Sequence, residues 1–323
     1  MKKIFRKRVY IFVIKLTIFL MMTTAMYYLL MDKKENMAPH YHTELLKQWT
    51  NNKWMLVAVV MLFPLNWACE ALKWKFLIEK IEKISFTKAY AGVLSGVSFG
   101  FFTPHNIGDY IGRISQLASP ERIRGIGAVF LSRIAQFYIT LYFGTIALVY
   151  ALYNLLNMKT THDYIFIFFI VLTNVVFILV FVYYKEILNT LDKIQLFNRF
   201  SRYYSILKHY SLSKINFVLL LSFTRYCIFS TQYYLLLNYF GIKDHPIILA
   251  GGIAFIFLAK SVLPTMFDLG VRELSAITYF SIFSYPKESV LYASLTLWLV
   301  NIVVPALIGM FLIFKIRIFK SLT

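Results

Sequence analysis

The sequence predicts an all-α polytopic membrane protein with about six full spans plus two re-entrant helical hairpins in an inverted repeat. Three observations carry that prediction. Of 323 residues, 59% are hydrophobic and 18% aromatic while only 15% are charged, a balance too apolar for a water-soluble domain. Six apolar runs, 9–31, 54–77, 125–152, 164–184, 215–238 and 289–314, are long enough to cross a hydrocarbon core of about 30 Å. Two further runs, 89–103 and 247–263, stop at Pro104 and Pro264 after 15 and 17 residues, about 22 and 25 Å of helix.

The first run follows a basic start, "MKKIFRKRVYIFVIKL". Its apolar stretch exceeds that of a secretory signal and lacks a small-residue cleavage site, so it reads as an uncleaved anchor. Lys15 inside it reads as a side chain snorkelling to the interface.

Charge sorts the loops. Lys and Arg number 34 against 15 Asp and Glu. Most basic residues lie in short loops between apolar runs, which is the mark of membrane topology, and no nucleic-acid partner is expected. If 89–103 and 247–263 each enter and return on one side, the loops assigned to the cytoplasm carry 22 Lys and Arg and those outside carry 7. If the first of these runs crossed fully, the basic segment 185–214 would face outward. The favoured topology therefore has both termini in the cytoplasm, a hairpin at 89–118 entering from inside and one at 247–284 entering from outside. An ordinary kinked helix remains the alternative.

The chain then forms one integral membrane domain. An anchor span at 9–31 precedes a first repeat at 54–152 and a connecting span at 164–184. A basic amphipathic cytoplasmic segment at 185–214 leads to a second repeat at 215–314. That segment could lie on anionic lipid or be a solvated linker. Inverted repeats place transport sites near the midplane, where broken helices line a cavity. Glycines at 92, 96 and 100 put a smooth stripe on one helix face for close packing.

The breaks read "TPHNIGDYIGR" and "LPTMFDLGVRE". Each holds a proline, a glycine, an acid and an arginine. Pro104, Gly108, Pro264 and Gly270 are the candidate hinges. Asn106 with Asp109 and Gly270 with Glu273 have capping-box spacing, so both acids could cap half-helices. Arg113 lies one turn after Asp109 and could pair with it. Arg272 sits in the positive first turn of its helix, where an anion (Asp109, Glu273 or a phosphate) would offset the unfavourable dipole.

Other polar groups lie deep in the spans. Arg133 and Arg225 sit roughly 12–15 Å from the cytoplasmic ends, which implies a protein partner or a polar cavity. Gln136 and Gln232 fall near the faces of those arginines. Glu70 can pair with Lys73 one turn on, or Lys73 can snorkel. Lys260 comes late in the second short run. Cys69 and Cys227 both read as buried unpaired thiols. His40 and His42 form only a lone loop pair, so no metal and no cofactor is expected.

At these motifs the chain resembles the lysylphosphatidylglycerol synthase/flippase transmembrane family, the membrane domain of the multiple peptide resistance factor and its stand-alone relatives. Pro104, Gly108, Asp109 and Arg113 match the first family pattern, with Asp in place of Glu. Pro264, Gly270, Arg272 and Glu273 match the second intact, and "ALKWKFL" fits the family's ending of the second span. The resemblance implies two re-entrant hairpins and movement of lipids such as aminoacylated phosphatidylglycerol between leaflets. The chain stops at Thr323, so the soluble aminoacyl-transfer domain of two-domain members is not expected.

The expected function is thus a lipid translocase of the bacterial inner membrane. Arg113, Arg133, Arg225 and Arg272 would bind an anionic headgroup, and Asp109 and Glu273 would orient them or bind a cationic part. Glu70, Gln136 and Gln232 complete the candidate set. The rivals are a membrane enzyme using Asp109, Glu70 or Glu273 as base, and a scaffold for another membrane protein. The sequence leaves open a homodimer and a separate lipid-modifying enzyme as partners.

Overall fold

The computed structural model describes residues 52–101, 103, 106–154, 161–198, 200–263 and 269–320. The expected anchor at 9–31 and the hinges Pro104 and Pro264 lie outside the described residues. Most of those described are helical, with no β-strand among them.

Helix α1 (Lys53–Ile78) has 26 residues, about 39 Å at the usual rise. Its Val57, Val60, Met61 and Leu65 are exposed, while Trp67, Ala71, Trp74 and Leu77 are buried. Apolar residues facing outward in this number are what lipid, not water, requires. Helix α2 (Phe86–Phe101) has 16 residues, about 24 Å, too short to cross. After a turn in which Asn106 takes φ 53°, α3 (Gly108–Ile114) folds back on α2. The glycine stripe makes this possible. A Cβ at Gly112 would lie 2.5 Å from Gly96 Cα, and one at Gly108 would lie 2.1 Å from the Phe99 carbonyl oxygen.

The Asn106–Asp109 capping box does not form. Ile107 precedes α3 without a side-chain cap, and the Gly108 N–H donates to Thr103 Oγ1 at 2.7 Å. Thr103 satisfies the donor from across the turn, which releases Asp109 for other partners.

Helix α4 (Gly125–Asn154) has 30 residues. Helix α5 (Thr161–Val182) is apolar and exposed along most of its described surface. Its stretch Ile167–Val182 meets α6 (Tyr184–Lys193) at 78°. Short helical turns follow to His209. The segment 185–214 is more than a surface strip. Leu188, Ile206, Leu207 and Tyr210 are buried, and the Tyr210 hydroxyl donates to the Leu77 carbonyl at 2.7 Å. Its apolar side therefore docks on the end of α1.

Helix α7 (Leu212–Tyr239) has 28 residues and begins at Ser211, whose side chain accepts from the Lys214 N–H. Helix α8 (Pro246–Val262) has 17 residues, about 25 Å, and starts with proline in the first turn, where its missing N–H is harmless. Helix α9 (Val271–Ser281) follows Gly270, whose φ of 97° suits a residue without a Cβ. Last come α10 (Lys287–Trp298), a π-helical turn (Leu299–Val303) and α11 (Val304–Lys320). Pro305 accounts for the π turn. It donates no N–H and its ring crowds the carbonyl of Asn301, four residues back, so the ladder widens there.

Among the described residues, four helical stretches are long and apolar enough to cross a bilayer, or five if the bent pair at α5–α6 counts as one span. They coincide with five of the six expected runs, and the protein is a multi-pass membrane protein. One core gathers Trp67, Trp74, Leu94, Val129 and Tyr210. A second gathers Tyr233, Leu236, Leu249, Phe257, Phe280 and Val290. The two halves cross-pack. Helix α2 lies on α11, where a Cβ at Gly309 would sit 2.0 Å from the Leu94 carbonyl oxygen. Helix α8 lies on α4, where a Cβ at Gly144 would sit 2.5 Å from Leu258 Cβ. Helix α1 packs on α7.

Candidate functional site

The buried face of α1 carries Asn66, Trp67, Glu70, Lys73 and Trp74 at helical spacing. Glu70 is the centre of a charged network. Its Oε2 is 2.8 Å from Lys73 Nζ. Its Oε1 accepts from Arg113 Nη1 at 3.0 Å and from Ser132 Oγ at 3.0 Å. Arg225 Nη1 stands 3.7 Å from Oε2.

Asp109 is the second hub. Its Oδ1 accepts from Arg113 Nε at 2.7 Å. Its Oδ2 accepts from Arg133 Nη2 at 2.8 Å and Nε at 3.2 Å. Arg133 Nη2 also donates to the Asn106 carbonyl at 3.0 Å. Arg113 thus bridges two carboxylates, a task suited to a planar guanidinium with several donors.

Burial grades across the network. Lys73 is fully enclosed, while the side chains of Arg225 and Arg133 retain 19% and 31% of their exposure. Lys73 therefore does not snorkel as one sequence reading had it. Its ammonium turns inward to Glu70, to Gln136 Oε1 at 3.3 Å and to Ser222 Oγ at 3.2 Å. The two outer arginines lie against aromatic faces, Arg225 over Trp67 at 5.0 Å and Arg133 over Tyr110 at 5.1 Å.

These groups line a cavity of about 420 Å³ bounded by α1, α2, α3, α4, α7 and the end of α8. A smaller space of about 140 Å³ adjoins it between Gln136, Arg225 and Phe257. Among the described lining residues, Glu70 and Asp109 face Arg113, Arg133, Arg225 and Lys260. Cations outnumber carboxylates, and Phe101, Phe137 and Ile302 supply apolar wall. Such a site can hold an anion beside a hydrocarbon chain.

The structure brings together Glu70, Asp109, Arg113, Arg133, Gln136 and Arg225, with Gly108 building the hairpin that carries two of them. It places Arg272, Glu273 and Gln232 elsewhere. Arg272 and Glu273 are enclosed in the second core. Arg272 Nε donates to Glu273 Oε1 at 3.0 Å and to Ser294 Oγ at 3.0 Å. Glu273 Oε2 accepts from the Gly270 N–H at 2.8 Å, so this acid caps its helix as the spacing suggested. It is also the anion that offsets the Arg272 charge. Gln232 Nε2 donates to the Val59 carbonyl at 2.9 Å and is not among the cavity lining.

The candidate set read from the sequence does not include Lys73, Lys260, Trp67 or Ser132, although Lys73 and Lys260 are noted in their runs. The spacing of Lys73 from Glu70 was a usable signal; Ser132 and Trp67 gave none. Of the cysteines, Cys69 is buried but Cys227 is exposed, because it lies on the outward face of α7 and not in a core.

No curated protein and no solved structure matches the chain. One protein family does, over residues 12–309, a range that includes the described residues lining the cavity. The chain belongs to the family described as lysylphosphatidylglycerol synthase TM region.

Proposed function

We propose that the protein is a lipid translocase of the bacterial inner membrane. It would move an anionic or aminoacylated phospholipid, or a lipid-carrier headgroup, between leaflets. The observation that carries this reading is the cation-rich cavity between the halves, walled on one side by a broken helical hairpin. Arg133 and Arg225 meet the headgroup, while Glu70, Asp109 and Lys73 hold Arg113 and the outer arginines in place. Guanidinium groups in a low-dielectric cleft bind phosphate oxygens in pairs. The apolar walls accept the first part of the acyl chains.

The pairs α2–α3 and α8–α9 act as re-entrant hairpins and moving gates. Their first helices are too short to span, and each is flanked by long ones. The cross-packing supports an inverted repeat: α2 meets the last span of the second half, as α8 meets the last span of the first. The termini lie in the cytoplasm in this arrangement, as loop charge favours.

Reconstitution with fluorescent lipids tests the proposal. Leaflet exchange above that of protein-free vesicles is expected, lost in Arg225→Ala and kept in Lys193→Ala. Exchange no faster than in empty vesicles, across anionic, zwitterionic and aminoacylated lipids, would refute it.

A further inference from the structure

We infer that the cavity selects a headgroup bearing net negative charge and rejects its aminoacylated, cationic counterpart; this rests on the lipid-headgroup reading of the same site. A lysyl ester adds two ammonium groups to a phosphodiester and turns a net anion into a net cation. To accept it, the site needs a carboxylate able to turn toward an ammonium. Among the described residues, both lining carboxylates are already engaged. Asp109 is held between Arg113 and Arg133. Glu70 is held by Lys73, Arg113 and Ser132. Neither can serve an incoming cation without giving up a charge partner it already holds, Arg133 or Arg113 for Asp109 and Lys73 or Arg113 for Glu70. Breaking such a pair around a buried carboxylate is costly in low dielectric.

One cation is less fully matched. Among the described residues the polar contacts of Arg225 are long, 3.7 Å to Glu70 and 3.5 Å to Gln136 Oε1. Its Nε is buried with no hydrogen-bond partner, and the residue lines both parts of the cavity. A buried guanidinium donor left unmatched is strongly unfavourable unless something binds it. A phosphate oxygen answers that need, and an ammonium group would be repelled by it. Lys260 lines the same wall. Asp268, outside the described residues, is the acid nearest in sequence to that wall, so its variant belongs in the test.

Binding and movement are measured separately on the purified full-length protein, in nanodiscs and in proteoliposomes. The probes are phosphatidylglycerol, its lysyl ester, a zwitterionic phospholipid and soluble glycerol phosphate. Phosphatidylglycerol is expected to bind at least about tenfold better than its lysyl ester, the worth of one charge-assisted hydrogen bond. Arg225→Gln should abolish that preference, and Arg225→Lys should restore part of it. Gln136→Glu puts a carboxylate beside Lys73 and Arg225, so the fold tolerates it, and it should lower the preference. Asp268→Asn should leave it unchanged.

Equal or tighter binding of the lysyl ester, or its dependence on Asp268, would overturn the inference and leave the translocase reading standing. Anion-selective binding without leaflet exchange would uphold the inference and overturn the translocase reading. Glycerol phosphate binding as tightly as the lipid would show an anion site with no role for acyl chains, again overturning only that reading. No binding of any probe would overturn both.

Discussion

Arg113 on the short helix α3 donates to Glu70 on α1 at 3.0 Å, across 43 positions of sequence. With its bond to Asp109 this makes one guanidinium the bridge between a full-length span and a broken hairpin. Both carboxylates and the guanidinium are buried, so each depends on the others for compensation.

Removing the bridge should be severe. Arg113→Ala leaves Glu70 and Asp109 short of a partner and is expected to cost about 3–5 kcal/mol. Arg113→Lys keeps the charge but cannot reach both acids with a planar fork, so it should recover only part of the loss. Thermal unfolding in detergent measures both. A midpoint for Arg113→Ala equal to that of the parent protein would contradict the bridge.

The hairpin should be intolerant of side chains along its seam. A Cβ at Gly112 would lie 2.5 Å from Gly96 Cα, and backbone has no rotamer by which to yield. Gly112→Val is expected to destabilise by about 1–3 kcal/mol or more. It should also reduce cross-linking between cysteines placed at Ser95 and Gln116, whose side chains meet at 3.2 Å. Gly251→Ala meets only the Tyr279 hydroxyl, at 3.2 Å, and should be nearly silent.

Asn66 and Asn301 join the halves through one buried bond, Nδ2 to Oδ1 at 2.8 Å, at the π turn. Asn66→Ala leaves a buried acceptor without that donor and should cost about 1–3 kcal/mol. Replacing both amides with leucine should cost less than the sum of the single changes. A double-mutant cycle reads the difference, and strict additivity would show that the bond contributes nothing.

Acid should loosen the loop contacts around Glu82. Its carboxylate accepts from Lys88 Nζ at 2.6 Å and from the Ala118 and Ser119 N–H groups at 2.8 and 2.9 Å. The Lys88 bond, above all, holds its pKa below the ordinary glutamate value of 4.5. A group depressed on folding stabilises the fold above its unfolded pKa, and that contribution is lost as pH falls through the folded value. Melting temperature should therefore fall on acidification below about pH 4.5. Glu82→Gln should be less stable at neutral pH and show a shallower fall; an unchanged slope would count against the assignment.

Local features of this protein were legible in its sequence because they depend on neighbours along the chain. Span lengths, the two short runs, the glycine stripe at 92, 96 and 100 and the Glu273 cap on Gly270 all follow from helix rise, Cβ sterics and three-residue spacing. Charge pairs within one turn, Asp109 with Arg113 and Glu70 with Lys73, followed too, but the partners from distant segments did not. Sequence placed Arg272 with Arg113 by motif likeness, whereas packing encloses it with Glu273 and Ser294 in another core. Sequence left Lys73 to pair with Glu70 or to snorkel, and packing chose the pair. Gln232 turned to a backbone carbonyl of α1 instead of the cavity. A helix that is apolar on every side carries no periodic signal of which side meets protein and which meets lipid. That choice is made by contacts between segments far apart in the chain, and here it decided which arginines share a cavity.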